Sequence, residues 1–259
     1  MVNFPRFISL PVLLLAASFK LQGQVARGQQ CPPPEFDAVD TLDLNKFVGD
    51  RWYSIRQLPV SFQPEDQFNC VYAQYSILET PYTTRCRILG CTDPDSITVF
   101  NSARAGSTSG RPVSVKFRAI VPDINIEPAK ANVGPRVIPN FVRGSRTNYW
   151  VVAVGTYKEL LPALTTEPES EQYEWAIITT GLPGSIGEDT TKCFSDGGMW
   201  FFSREAIPPI GYVEAMTTIA TSLGLDTTVL LPVNHDGCEY ENQNAGPLSN
   251  IFTLVTGLF

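Results

Sequence analysis

Apolar positions gather in short runs along the chain, and turn residues separate them. The runs are 52–58, 70–78, 96–101, 113–121, 149–157, 173–180 and 199–203. They are rich in Val, Ile, Tyr, Phe and Trp, with Gly, Pro, Asp and Ser clusters between. This pattern predicts strands, and many short strands with polar punctuation predict a sandwich or a barrel. Only 209–223 has a helical period, with Tyr212, Met216, Ile219 and Leu223 on one face and Gly224 as a stop. A last strand is expected at 227–233. The stretches 79–94, 102–112, 129–148, 158–172 and 181–198 read as long connections, a length that tends to carry function. The chain has no internal repeat and no composition break, so it reads as one domain with elaborated loops.

The N-terminus changes the picture. Residues 1–30 hold no acid, and Arg6 precedes an apolar stretch at 8–17. Ten residues is too short to cross a bilayer and suits the apolar core of a secretory signal. Ala26 and Gly28 supply small residues for cleavage before Gln29, and Gly23 is another candidate. Residues 1–28 are therefore expected to be a signal peptide and the mature protein extracellular. The first half of a bipartite plastid address is the alternative. The mature region, 29–246, is the expected domain, and 247–259 is an apolar tail.

Composition narrows the function classes. Of 259 residues, 43% are hydrophobic and 17% charged, which is globular and not disordered. Lys+Arg number 19 against 26 Asp+Glu, a net charge of −7. That excludes a nucleic-acid binder, whose affinity rests on basic surface. His235 is the single histidine. A multi-histidine metal site is excluded, any histidine-based triad would need that residue, and no metal or cofactor is expected. No Asn-x-Ser/Thr acceptor occurs. The six cysteines, Cys31, Cys70, Cys86, Cys91, Cys193 and Cys238, form an even set behind a secretory signal and read as three disulfides. Spacing alone does not choose the pairing.

The segment Asn45-Lys46-Phe47-Val48-Gly49-Asp50-Arg51-Trp52-Tyr53-Ser54-Ile55 resembles the first signature of the lipocalins, where a glycine ends a 3₁₀ turn and a tryptophan opens the first strand. Leu58-Pro59, Phe62 and Cys70 through Ile77 continue the resemblance toward the apolipoprotein D, bacterial-plant lipocalin and Lazarillo subgroup. Glu127-Pro128-Ala129-Lys130 and Asn148 through Val152 agree with it. Gly155-Thr156-Tyr157 stands where the second motif has Thr-Asp-Tyr. Trp200-Phe201-Phe202-Ser203-Arg204 is similar to the third motif. The first motif is one residue longer than usual, and the second lacks its aspartate. The resemblance covers roughly 31–240.

It implies an all-β, eight-stranded, up-and-down antiparallel barrel with one C-terminal helix. It also implies a barrel base of Gly49, Trp52 and Arg204, with the guanidinium over the indole. The ligand cavity would be lined by Tyr75 and Trp200. Strand alternation adds Val71 and Ala73 to Tyr75's face and Phe202 to that of Trp200. Phe117, Trp150 and Trp175 are aromatic candidates whose facing is open. Arg56 alternates with Trp52, where it would meet a ligand carboxylate or reach solvent. The implied disulfides are Cys31–Cys193 and Cys70–Cys238, which leaves Cys86–Cys91.

The function so implied is a secreted, non-enzymatic, monomeric carrier of a small hydrophobic molecule such as a fatty acid, sterol, retinoid or carotenoid-like pigment. Two alternatives stand beside it. One is a lipocalin-fold enzyme acting on a lipid or carotenoid, similar to violaxanthin de-epoxidase. The other is a membrane-anchored surface lipocalin, with the tail at 247–259 as anchor signal or peripheral membrane contact.

Overall fold

The structure, a computed structural model, describes residues 30–77, 96–135, 146–162, 170–188 and 191–240. Strands β1 (Arg51–Gln57), β2 (Asn69–Ile77), β3 (Ser96–Ala105), β4 (Arg111–Ile120), β5 (Lys130–Pro135), β6 (Thr147–Gly155) and β7 (Trp175–Thr179) run antiparallel, each beside the next. A two-residue hairpin pair, β8 (Ser185–Ile186) and β9 (Cys193–Phe194), follows. Then β10 (Met199–Ser203) pairs with β7 on one side and β1 on the other. That last pairing closes an eight-stranded barrel and removes its sheet edges.

The N-terminal arm straps one end of the barrel. Its short helix α1 (Leu44–Phe47) is capped by the Asp43 side chain, which accepts from the Asn45 N–H. Upstream, the Val39 N–H donates to the Val151 carbonyl. Lys130 Nζ lies 2.7 Å from both Asp37 and Glu127, tying the arm to β5. The shared proton donor holds the Asp37 carboxyl below its ordinary range and raises the lysine.

Two cores flank the barrel wall. On β7, Ala176 and Ile178 face inward, while Trp175 and Ile177 face outward. On β10, Trp200 and Phe202 face inward, with Met199 and Phe201 outward. Both strands are buried on both faces, which is why their sequence runs apolar without alternation. The outer face is covered by α3 (Ile210–Ser222), which buries Tyr212, Met216 and Ala220 against it. Each such large apolar side chain contributes about 1.5–3 kcal/mol when fully buried. The turn-and-a-bit helix α2 (Tyr157–Leu160) opens with a capping box between Thr156 and Glu159. Its Tyr157 ring stacks on Tyr212 at 4.5 Å between centroids.

The C-terminal segment enters the wall itself. β1 pairs with β2 only through Arg51, Trp52 and Tyr53. Farther along, Arg56 and Gln57 pair instead with β11 (Leu231–Pro232). The Val233 N–H donates to Ile55 O at 3.1 Å, Cys70 N to Asn234 O at 2.8 Å and Asn234 N to Phe68 O at 2.9 Å. Residues 231–234 are thus a wedge between two diverging strands, and the Cys70–Cys238 disulfide fastens it. A second disulfide, Cys31–Cys193, ties the start of the arm to β9. Both agree with the pairing that the resemblance implies. Cys86 and Cys91, the signal segment and the tail lie outside the described residues.

Three expectations about elements need correction. Strand β5 falls in 129–148, read above as a connection. Its Lys-Ala-Asn-Val-Gly-Pro sequence has almost no β-branched content, and its hydrogen bonds to β4 and β6 set its conformation. Strands β3 and β4 extend through most of 102–112 and leave a turn over 106–110. The expected strand at 227–233 keeps only two residues of strand.

Candidate functional site

The strapped end is built around Trp52, which is fully buried. Its indole N–H donates to Phe47 O at 2.8 Å. The Arg204 guanidinium lies 3.8 Å from the Trp52 ring centroid. The same guanidinium donates to the carbonyls of Tyr173, Phe47, Lys46, Asp50 and Arg51. Burial pushes its pKa down to about 10, so it stays charged at neutral pH. Gly49 turns at φ +101°, and its N–H donates to Tyr75 O at 3.0 Å. These three residues form the base that the resemblance implies.

Inside the barrel and next to this base lies an apolar cavity of about 30 Å³. Ordinary small-molecule pockets occupy roughly 300–1,000 Å³. Side chains therefore fill most of the interior, and a larger guest requires them to move. The arm contributes Leu42, Leu44 and Phe47 to the cavity wall, and the strands contribute Tyr75, Ile97, Ala119, Val133, Tyr149 and Val151. The two tyrosine hydroxyls are the polar side-chain groups of this wall, and they lie 2.7 Å apart. Burial raises both phenols above their usual range; the bond to Tyr149 partly offsets the rise at Tyr75, while Tyr75 raises Tyr149 further.

The expected site residues divide into three groups. Tyr75 lines the cavity. Ala73, Phe117, Trp200 and Phe202 belong to the inner core and do not touch the cavity. Val71 and Trp175 lie away from the cavity, and Trp150 packs against both the inner and the outer core without lining it. A register break between Asn69 and Tyr72, with Cys70 at φ 54°, takes Val71 out of the alternation. It packs instead with Phe68, Ala103 and Val233. Trp175 faces the outer core, where its indole donates to Thr156 O at 3.0 Å. Trp150 is half-buried with Lys130 Nζ 4.6 Å over its ring. Its neighbours Tyr149 and Val151 take the inward positions of β6.

Three interior polar residues escaped the sequence reading. Ser54 pairs with Phe202, and Gln57 with Trp200, so both share the inward face. The Ser54 hydroxyl donates to Gln57 Oε1 at 2.7 Å. Asn101 pairs with Ala73 and Val115 on the same face. Gln57 Nε2 and Asn101 Oδ1 are buried without a hydrogen-bond partner. Alternation from Trp52 already finds Ser54. A bulge between Ser54 and Arg56 hides Gln57, because it turns Arg56 outward, opposite Phe201.

A closed antiparallel barrel with an arginine stacked on the tryptophan that opens its first strand defines a lipocalin-type barrel. Local sequence similarity points the same way. The chain is 41% identical to apolipoprotein D of Cavia porcellus over 58 residues, 22% of this chain and 28% of that protein. Against apolipoprotein D of Bos taurus it is 36% identical over 75 residues, 27% of this chain and 36% of that protein. The matched stretch thus spans about a third of these relatives at most. Motifs, barrel and match together support an assignment to the lipocalins. No family model matches it. Among solved structures, the cockroach allergen Per a 4 aligns at TM-score 0.46 and 15% identity, covering 80% of this chain and 96% of that one. Apocrustacyanin C2 aligns at TM-score 0.46 and 13% identity, covering 81% and 91%. Among the described residues, no helix is long and apolar enough to cross a membrane, and no cluster of His, Cys, Asp and Glu is placed to hold a metal.

Proposed function

We propose that this lipocalin is a secreted binding protein that takes a small hydrophobic molecule into its barrel. The observation that carries the reading is the apolar cavity beside Phe47, with one pair of phenols in its wall. Burial of a ligand's apolar surface there contributes about 25 cal/mol per Å². Side chains of the inner core, Phe117 and Phe202 among them, yield to admit it. The local similarity to apolipoprotein D is in keeping with a hydrophobic guest. The two disulfides are in keeping with an oxidising, extracellular destination. The reading assigns no catalytic residue, metal or cofactor, and it takes the chain as a monomer.

The test is native mass spectrometry of the full-length protein secreted from a eukaryotic host, before and after organic extraction. A discrete small-molecule adduct, lost on extraction, is expected. A bare protein whose tryptophan fluorescence fails to respond to fatty acids, sterols, retinoids or carotenoids would overturn the reading.

A further inference from the structure

We infer that the Tyr75–Tyr149 pair is a specificity subsite that receives one uncharged acceptor oxygen, such as a ketone, ester or alcohol oxygen, at the leading end of the ligand. The inference rests on the binding reading above and sharpens it to a ligand class.

Each phenol owns one O–H hydrogen. The hydroxyls are 2.7 Å apart, so one donates to the other. Among the described residues, neither makes a further hydrogen bond. The pair therefore holds one O–H hydrogen without an acceptor, whichever tyrosine carries it. Buried polar groups in folded proteins are almost always satisfied, and an unspent donor at a cavity wall is a position for a guest atom.

The surroundings decide which acceptor fits. Among the described residues, every other side chain of the wall is Leu, Phe, Ile, Val, Ala or Pro. None is cationic. Arg204, the cation whose charge acts on Tyr75, is committed to the Trp52 ring and to five backbone carbonyls. A carboxylate entering this wall would lose its hydration and find one hydrogen bond and no counter-charge. A neutral carbonyl or hydroxyl oxygen loses little hydration and gains the spare donor. Burial keeps both phenols protonated through the ordinary pH range, so the donor is always present.

The pair makes an unusual genetic prediction. Tyr75→Phe removes one phenol and frees the hydrogen of the other. One donor remains, and the same holds for Tyr149→Phe. Only the double variant has no donor. A purely structural pair would instead show its full effect at the first substitution.

The experiment uses the delipidated full-length protein loaded with neutral N-phenyl-1-naphthylamine. Decane, decan-2-one and decanoate are titrated as competitors at pH 7.5. The readout is the ratio of decan-2-one to decane affinity within each variant, which cancels changes in apolar packing. Circular dichroism checks that each variant is folded. We expect wild type and both single variants to favour the ketone about tenfold, the worth of one net hydrogen bond. Decanoate should bind more weakly than the ketone. In Tyr75→Phe/Tyr149→Phe the ratio should fall to about one. Equal binding of ketone and alkane by wild type, or a ketone preference that survives the double change, overturns the subsite while leaving the cavity reading intact. Failure of all three competitors to displace the probe overturns the cavity reading and the subsite together.

Discussion

The Arg204 guanidinium covers the Trp52 ring at 3.8 Å and reaches the carbonyls of both α1 and the turn into β1. One side chain thus joins the end of β10, the start of β1 and the N-terminal strap. An ammonium group cannot reproduce this, because it lacks both the planar face for stacking and the fork of donors. Arg204→Lys should cost about 1–2 kcal/mol, and Arg204→Ala about 2–4 kcal/mol, from the lost cation–π contact and charged hydrogen bonds. Urea unfolding at pH 7 measures both. Equal stability of Arg204→Lys and wild type would show that the guanidinium geometry is not used.

Gly49 holds the same base together through its backbone. At φ +101° it lies where residues with a Cβ are strained, yet an added Cβ would meet no atom within 4 Å. Gly49→Ala should therefore destabilise by about 1–2 kcal/mol through backbone strain alone. Gly106 offers an internal control, with φ +79° and equally open space, in the β3–β4 turn away from the base. Because the Gly49 N–H bonds to Tyr75 O, only Gly49→Ala should also shift ligand affinity at the cavity. Denaturation and probe binding on both variants separate the two effects.

The barrel was largely legible because seven of its eight strands carry β-branched and aromatic residues in runs of the right length. Motif order around Trp52 and Arg204 then placed the base. The misreadings have local causes. β5 has no propensity of its own and exists because β4 and β6 offer it hydrogen bonds. Bulges near Cys70, Arg56 and Val151 shift the facing of Val71, Gln57 and Ala153, and a bulge leaves no mark in an apolar–polar pattern. Trp175 was ambiguous because its strand is buried on both faces. The Tyr75–Tyr149 contact joins residues 74 positions apart, and the register that brings them together runs through the unforeseen β5.

The wedge at 231–234 depends on its tether. The two disulfides close spans of 162 and 168 residues, each worth about 3–5 kcal/mol in the chain-entropy account. Removing Cys70–Cys238 with a double serine substitution should act locally as well. The amides of Cys70's replacement, Val233 and Asn234 should lose hydrogen-exchange protection before those of β7 and β10 do. Uniform loss of protection across the barrel would show instead that the wedge and the wall open as one unit.

His235 gives stability a pH dependence of known sign. Its Nε2 lies 2.8 Å from Ser54 O, which can only accept, so Nε2 carries the proton. Nδ1 must then accept from the Tyr240 hydroxyl. The ring is buried, and burial lowers its pKa below the ordinary value despite the bond to Ser54 and nearby Asp236. The unfolded chain therefore binds a proton at a higher pH than the folded one. Stability is complete above the unfolded value of about 6.5 and falls as pH drops below it, by at most about 1.4 kcal/mol per pH unit, until the folded pKa is reached. Protonation also removes the acceptor of Tyr240, so the loss should concentrate in 231–240. His235→Gln should flatten the stability profile between pH 7 and pH 5. Urea midpoints across that range for both proteins decide it, and parallel profiles would remove His235 as the cause.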